Sequence, residues 1–367
     1  MALTNFTNLT TEQKTVWSRD LWMMARNASF TMRFTGRGPN SMIQRITELT
    51  KSEKGDRAVL TLVADLEGDG VVGDYTLENN EEAIKAYDKV ITIDQLRNAN
   101  RLAGRMADQK SVVNFRNTSK DVLAYWLADR IDQMSFLTLS GVAYTQTNNG
   151  AARDVNPTGR NLNDLAFASD VSAPSTARWR YWDNTTDDEL KAGNTASVAA
   201  TDLPSWQMLV QAKAYMKNQY IRGIKGPGGT EYYHVFMSPS GVAALKQDST
   251  FIANLQNAGP RGASNPLFSG SMITQDGLII HEFRHVYTAT DWGSGGDVAG
   301  QAVLFCGAQA LGMADIGLPY WDEETFDYGN QHGISIGKIF GMLKPKFNSI
   351  YSGSEEDFGV LRVDTAI

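Results

Sequence analysis

At 367 residues, with 42% hydrophobic and 20% charged side chains, the chain has material for two or three compact units of a folded, soluble protein. A net charge of −7 with no basic run excludes nucleic-acid binding carried by bulk charge, because neutralising phosphates takes clustered Lys and Arg. One cysteine, Cys306, excludes an internal disulfide framework, and no apolar stretch is long enough to span a membrane.

Residues 1–48 read as an arm rather than a domain. The first residues lack the basic start and apolar run of a signal peptide, so synthesis in a bacterial-type cytosol is expected. Thr10 and Gln13 have capping-box spacing ahead of a short helix carrying Val16, Trp17, Leu21 and Trp22. Gly36-Arg37-Gly38-Pro39 breaks it.

Next comes a ribbon. Ala58–Val63 is β-branched and aliphatic, and Tyr87–Ile93 is a second strand candidate. Between them lie seven acids, Asp65, Glu67, Asp69, Asp74, Glu78, Glu81 and Glu82, with Gly68, Gly70 and Gly73 and no Lys or Arg. A segment that acidic and glycine-rich lacks the apolar area to offset its ordering entropy, and an isolated two-stranded ribbon is marginal in water. Either it is an ordinary solvated hairpin, or another molecule orders it. The second alternative gives the ribbon Gly55–Ile93 no home on its own subunit.

From Ile93 to Leu139 no proline occurs, and a helical run is expected. Leu123, Leu127, Ile131 and Met134 recur on one face with Val122 and Trp126 beside them, while Asp121, Asp129, Arg130 and Asp132 are expected on the remaining surface. Gly141 is the expected stop. One helix from Val112 to Leu139 would span roughly 40 Å at about 1.5 Å per residue and would need a sheet to pack on. Residues 145–200 hold few apolar anchors beyond Trp179, Tyr181 and Trp182 and read as loops and turns. From Leu203 a helix with Trp206, Leu209, Val210 and Met216 opens a new unit. Glu231–Met237 is a strand, and Ser238-Pro239 starts the next helix. Further strands are expected at Gly277–Tyr287 and Ala302–Gly307, and strand-like runs alternate with Gly and Asn turns from Phe326 onward. The fold class is mixed α+β.

Several motifs invite a chemical reading. His281-Glu282-Phe283-Arg284-His285 matches the zinc-peptidase pattern, in which two histidines one helical turn apart share a metal. Its neighbours are β-branched and aromatic, and in a strand those two residues would stand roughly 13 Å apart. A zinc-dependent hydrolase through His281, Glu282 and His285 is therefore the disfavoured alternative, and no catalytic residue, cofactor or metal is assigned. Asp65-x-Glu67-x-Asp69-Gly70 opens like a calcium loop but has Thr76 where a bidentate Glu is needed. Gly226-Pro227-Gly228-Gly229 lacks the Lys and helix of a phosphate cradle and reads as a turn. Cys306 lies in an apolar strand-like run as a buried, inert thiol, and His234 and His332 read as structural.

Leu66-Glu67-Gly68-Asp69-Gly70-Val71-Val72-Gly73-Asp74, Leu77-Glu78, Glu81-Glu82, Ile93-Asp94-Gln95-x-Arg97, Gly104, Met106 and Gln109 together resemble the major capsid proteins of N4-like tailed bacteriophages. Leu123, Trp126, Asp132, Leu139-Ser140-Gly141 and the ending from Phe326-Asp327-Tyr328-Gly329 to Asp364-Thr365-Ala366 continue the likeness, which is thin over 145–200. The resemblance implies the HK97-like capsid fold: an N-terminal arm (1–48), an extended loop (49–92), a peripheral domain with a spine helix (93–202), an axial domain (203–318) and a return to the peripheral domain (319–367). It implies self-assembly into hexamers and pentamers of an icosahedral head around double-stranded DNA, with portal, scaffolding and decoration proteins as partners, in the virion after synthesis in the host cytoplasm. Asp65, Glu67, Asp69, Asp74, Glu78, Glu81 and Glu82 become inter-subunit contacts of the extended loop. Some shells of this fold crosslink covalently; nothing here licenses that, although Lys85 and Lys89 lie on the ribbon.

Overall fold

A computed structural model describes residues 11–47, 55, 57–63, 66, 68–84, 86–110, 114–154, 160–185, 188–258, 273–349 and 353–367. Two sheets organise them. In the six-stranded sheet Thr35–Gly36, Ile43–Ile46, Leu311–Asp315, Gln331–Leu343 and Tyr320–Phe326 follow in order, with Asp94–Arg101 on the other flank of Gln331–Leu343. In the nine-stranded sheet the order is Ile273–Gln275, Leu278–Glu282, Glu231–Met237, Val298–Cys306, Val360–Ala366, Trp179–Asp183 and Glu189–Ala192. Thr288–Trp292 joins it beside Val298–Cys306, and Ile224–Lys225 beside Glu231–Met237.

The spine helix runs from Phe115 to Ser140. Asn114 caps its start, its side chain accepting from the Asn117 amide at 3.2 Å. Gly141 ends it in the left-handed region, where a Cβ would lie 2.6 Å from the Ser172 carbonyl, so both conformation and space require glycine. Leu123, Leu127, Ile131 and Met134 are buried as the spacing predicts, whereas Val122 is exposed. Asp132 is a correction, since it is buried rather than on the surface. It accepts from Ser29 Oγ (2.6 Å), the Phe30 amide (2.8 Å), the Thr31 amide (3.0 Å) and Thr31 Oγ1 (2.6 Å). Those bonds pin the N-terminal segment to the helix, because a buried carboxylate is tolerable only when fully hydrogen-bonded.

The segment before the ribbon is packed on its own subunit. Helix Thr11–Ala28 lies on the spine helix, burying Leu21, Trp22 and Ala25. Ile43–Ile46 then pairs in parallel with Leu311–Asp315. Asp315 joins the two layers, accepting Arg45 at 2.7 Å and the fully buried Lys338, whose ammonium stands 3.8 Å from the centre of the Trp22 ring.

Two stretches differ from their expected elements. Asp94–Arg101 is a strand, not the start of a helical run, and its exposure alternates residue by residue. Eight register pairs to Gln331–Leu343 impose that conformation on a segment without β-branched residues. Within 145–200, Trp179–Asp183 and Glu189–Ala192 form strands, held by parallel pairing of the first with Val360–Ala366. The helix Trp206–Asn218 buries Leu209 and Met216 but leaves Val210 exposed. Glu231–Met237, the Ser238-capped helix Pro239–Gln247 and the turn at Pro227–Gly229 lie where the sequence puts them. The strand pairing cuts across divisions at 203 and 318: Trp179–Ala192 and Val360–Ala366 share a sheet with Glu231–Cys306, and Leu311–Asp315 lies in the other sheet.

Candidate assembly surface

The ribbon is antiparallel, Arg57–Val63 against Ala86–Thr92, with Ala58 opposite Ile91 and Leu60 opposite Lys89. One face of its base is buried on its own subunit. Ala58, Leu60 and Ile91 pack with Ile46, Ala314 and Phe347, and Leu62, Tyr87 and Leu343 border them. Two glycines of the underlying sheet allow that approach. A Cβ on Gly341 would lie 2.2 Å from the Thr92 carbonyl, and one on Gly312 would crowd Ile91 and Leu60. Lys89 Nζ also meets Glu355 Oε1 at 2.7 Å. The expectation that the whole ribbon lacks a home on its own subunit is thus corrected for the base. Alternation permits a buried face, and Gly312 and Gly341 supply the room.

The tip is different. From 68 to 84 every residue is exposed except Val71, which is half-buried. Val72 is 75%, Tyr75 82% and Ile84 72% exposed, with Leu66 and Leu77 also out in solvent. Within the tip the Gly68 amide donates to Glu82 Oε2 (2.7 Å), the Asn80 amide to the Leu77 carbonyl (2.9 Å) and Asn80 Nδ2 to the Thr76 carbonyl (2.8 Å). Asp69, Asp74, Glu78, Glu81 and Glu82 all stand on this surface; Asp65 and Glu67 lie outside the described residues. Sequence reading singled out the acids and passed over Leu66, Val72, Tyr75, Leu77 and Ile84. Large apolar side chains set among glycines and acids were the available signal, since contiguous exposed apolar surface marks interaction sites.

The histidine motif resolves into two structural contacts. The strand ends at Glu282, and Arg284 and His285 lie in a turn. His281 Nε2 lies 2.9 Å from His234 Nδ1, on a face covered by Phe30, Phe34 and Phe236. Burial pushes both imidazoles down to about 4, and for His234 the neighbouring His281 adds to it. His285 Nε2 instead meets Asp129 Oδ1 at 2.8 Å on the spine helix, and that bond holds Asp129 below the usual carboxylate range. The two histidines answer to different partners and do not converge on one metal. Cys306 is fully buried, and desolvation pushes its thiol far up.

An exposed acidic–apolar tip thus stands on a ribbon anchored at its base, and comparison with known proteins gives the family of the whole chain. The family model for phage capsid protein matches residues 5–367. The chain belongs to the phage capsid protein family. Within it, the chain is 56% identical over 370 residues to the major capsid protein of Pseudomonas phage KPP25, covering 99% of this chain and 97% of that one. It is 29% identical to the capsid of Ralstonia phage GP4, with a TM-score of 0.74 over 92% of this chain and 91% of that one. The cyanophage Pam1 capsid, at 18% identity, has a TM-score of 0.71 over 99% of both chains, which shows the fold. The HK97-like capsid fold is therefore that of this chain, and the phage capsid family is structural rather than enzymatic. The narrower N4-like grouping rests on the sequence motifs alone.

Proposed function

We propose that many copies of this chain close into the icosahedral head of a tailed phage, as hexamers and pentamers, with each ribbon tip lying on the next copy. The observation that carries this reading is the exposed tip. Five large apolar side chains project from a segment that the subunit's own core leaves uncovered. Each such contact is modest, and interlocking many of them around a shell gives a large summed interface. The seven acids Asp65 to Glu82 are proposed as inter-subunit contacts on that tip.

In this reading the divisions are an N-terminal arm (1–48), an extended loop (49–92), a peripheral domain (93–202), an axial domain (203–318) and a return (319–367). Trp179–Ala192 and Val360–Ala366 pair in one sheet with strands of the 203–318 segment. The head encloses double-stranded DNA without reading its sequence, and the net charge of −7 favours a lining that does not grip the genome. Portal, scaffolding and decoration proteins are its partners, and the chain is made in the host cytoplasm. Replacing residues 68–84 by a two-residue turn tests the assembly reading. The shortened subunit should melt like the original yet form no shells in sedimentation or negative-stain microscopy. Normal shells from the shortened chain would refute the reading.

A further inference from the structure

Contacts that join identical copies head to tail need two different surfaces that fit each other. The acidic tip is one. The chain offers its counterpart on the N-terminal helix Thr11–Ala28. The inner face of that helix, Leu21, Trp22 and Ala25, is buried against the spine-helix core. Its outer face carries Val16, Arg19, Met23 and Arg26, spaced i, i+3, i+7 and i+10, which forms one stripe about 15 Å long. All four are exposed, Val16 and Met23 by more than half. Among the described residues Arg19 and Arg26 make no ion pair, and neither do Asp69, Asp74, Glu78 and Glu81 on the tip.

Composition makes the match sharper. Residues 16–37 hold four arginines, Arg19, Arg26, Arg33 and Arg37, against one acid, Asp20, on a chain that is acidic as a whole. Residues 68–84 hold five acids and no Lys or Arg. Both surfaces interleave those charges with large apolar side chains, so each offers what the other lacks. We infer that the ribbon tip of one copy lies along the Val16–Arg19–Met23–Arg26 stripe of the next. This rests on the reading of the tip as an inter-subunit contact and adds the surface that receives it. Desolvation at the contact strengthens the charge pairing over its value in open water, and the interleaved apolar groups supply that desolvation.

A charge swap in the full-length chain tests it, under conditions in which the unchanged chain forms shells. R19E/R26E and E78K/E81K should each raise the subunit concentration needed for shells by about ten-fold or more, because like charges then face each other. Carrying all four substitutions together should bring that concentration back to within about three-fold of the original, the signature of direct coupling. Both unassembled variants should melt as the unchanged subunit does. The neutral R19Q/R26Q chain provides a second arm. It should assemble more weakly and with a flatter salt dependence. If E78K/E81K blocks assembly while neither arginine variant alters it, the tip docks elsewhere; the inference falls and the reading of the tip stands. Four substitutions that assemble no better than either pair would also overturn it. If neither pair alters assembly, the reading of the tip falls too.

Discussion

The two ends of one hairpin have opposite fates. The base of the ribbon, Ala58, Leu60 and Ile91, is buried on the six-stranded sheet through the room left at Gly312 and Gly341. The tip, 68–84, is exposed throughout apart from the half-buried Val71. A two-stranded ribbon cannot hold itself out into water. Anchoring one end on the subunit aims the other end, so that, on the proposed function, binding a second copy costs less ordering entropy than recruiting a free arm would. On the proposed function, the difference assigns folding to the base and assembly to the tip.

That separation can be broken most forcefully at Gly341. Gly341→Val drives a side chain into the Thr92 carbonyl and should cost at least about 3 kcal/mol of subunit stability, read as a lowered melting temperature of the unassembled chain. Next, Ile91→Ala opens a cavity under the base and should cost about 2 kcal/mol by the same measurement. At the tip, Tyr75→Ala with Leu77→Ala should shift subunit stability by no more than about 0.5 kcal/mol while weakening shell formation. A large loss of subunit stability from the tip pair would erase the contrast. A gentler probe concerns the half-buried His234–His281 pair. Burial holds both near 4 in the folded chain, below the ordinary histidine value. The unfolded chain therefore takes up protons that the folded one refuses between about pH 6.5 and 4. Stability should fall as pH is lowered through that window and level off beneath it. His281→Phe should flatten the slope in pH-dependent melts, whereas E78K/E81K should leave it unchanged.

Much of this was legible in the sequence. The ribbon strands, the spine helix with its Gly141 stop, and the Ser238 cap all follow from local patterning. The buried base did not, because both faces of Ala58–Val63 are apolar; Val59 and Val90 face solvent opposite each other while Leu60 and Ile91 go inside. Only the sheet beneath decides between them. Asp94–Arg101 was misjudged for a related reason. Its alternation of Leu96, Asn98 and Asn100 with Arg97 and Arg101 is weak until Gln331–Leu343 pairs with it. Asp132 looked like surface because a carboxylate on a helix usually is, and its four donors come from residues about a hundred positions earlier. For the candidate site, the acids were visible as a charge run. The apolar residues among them, and the basic stripe that complements them, needed exposure to be seen.

Hydrogen exchange compared between free subunits and assembled shells tests the central claim most directly. Amides of 57–63 and 86–92 should be protected in both states, and those of 68–84 should exchange fast in the free subunit and slowly in the shell. A tip already protected in the free subunit, or still fast in the shell, would contradict the account.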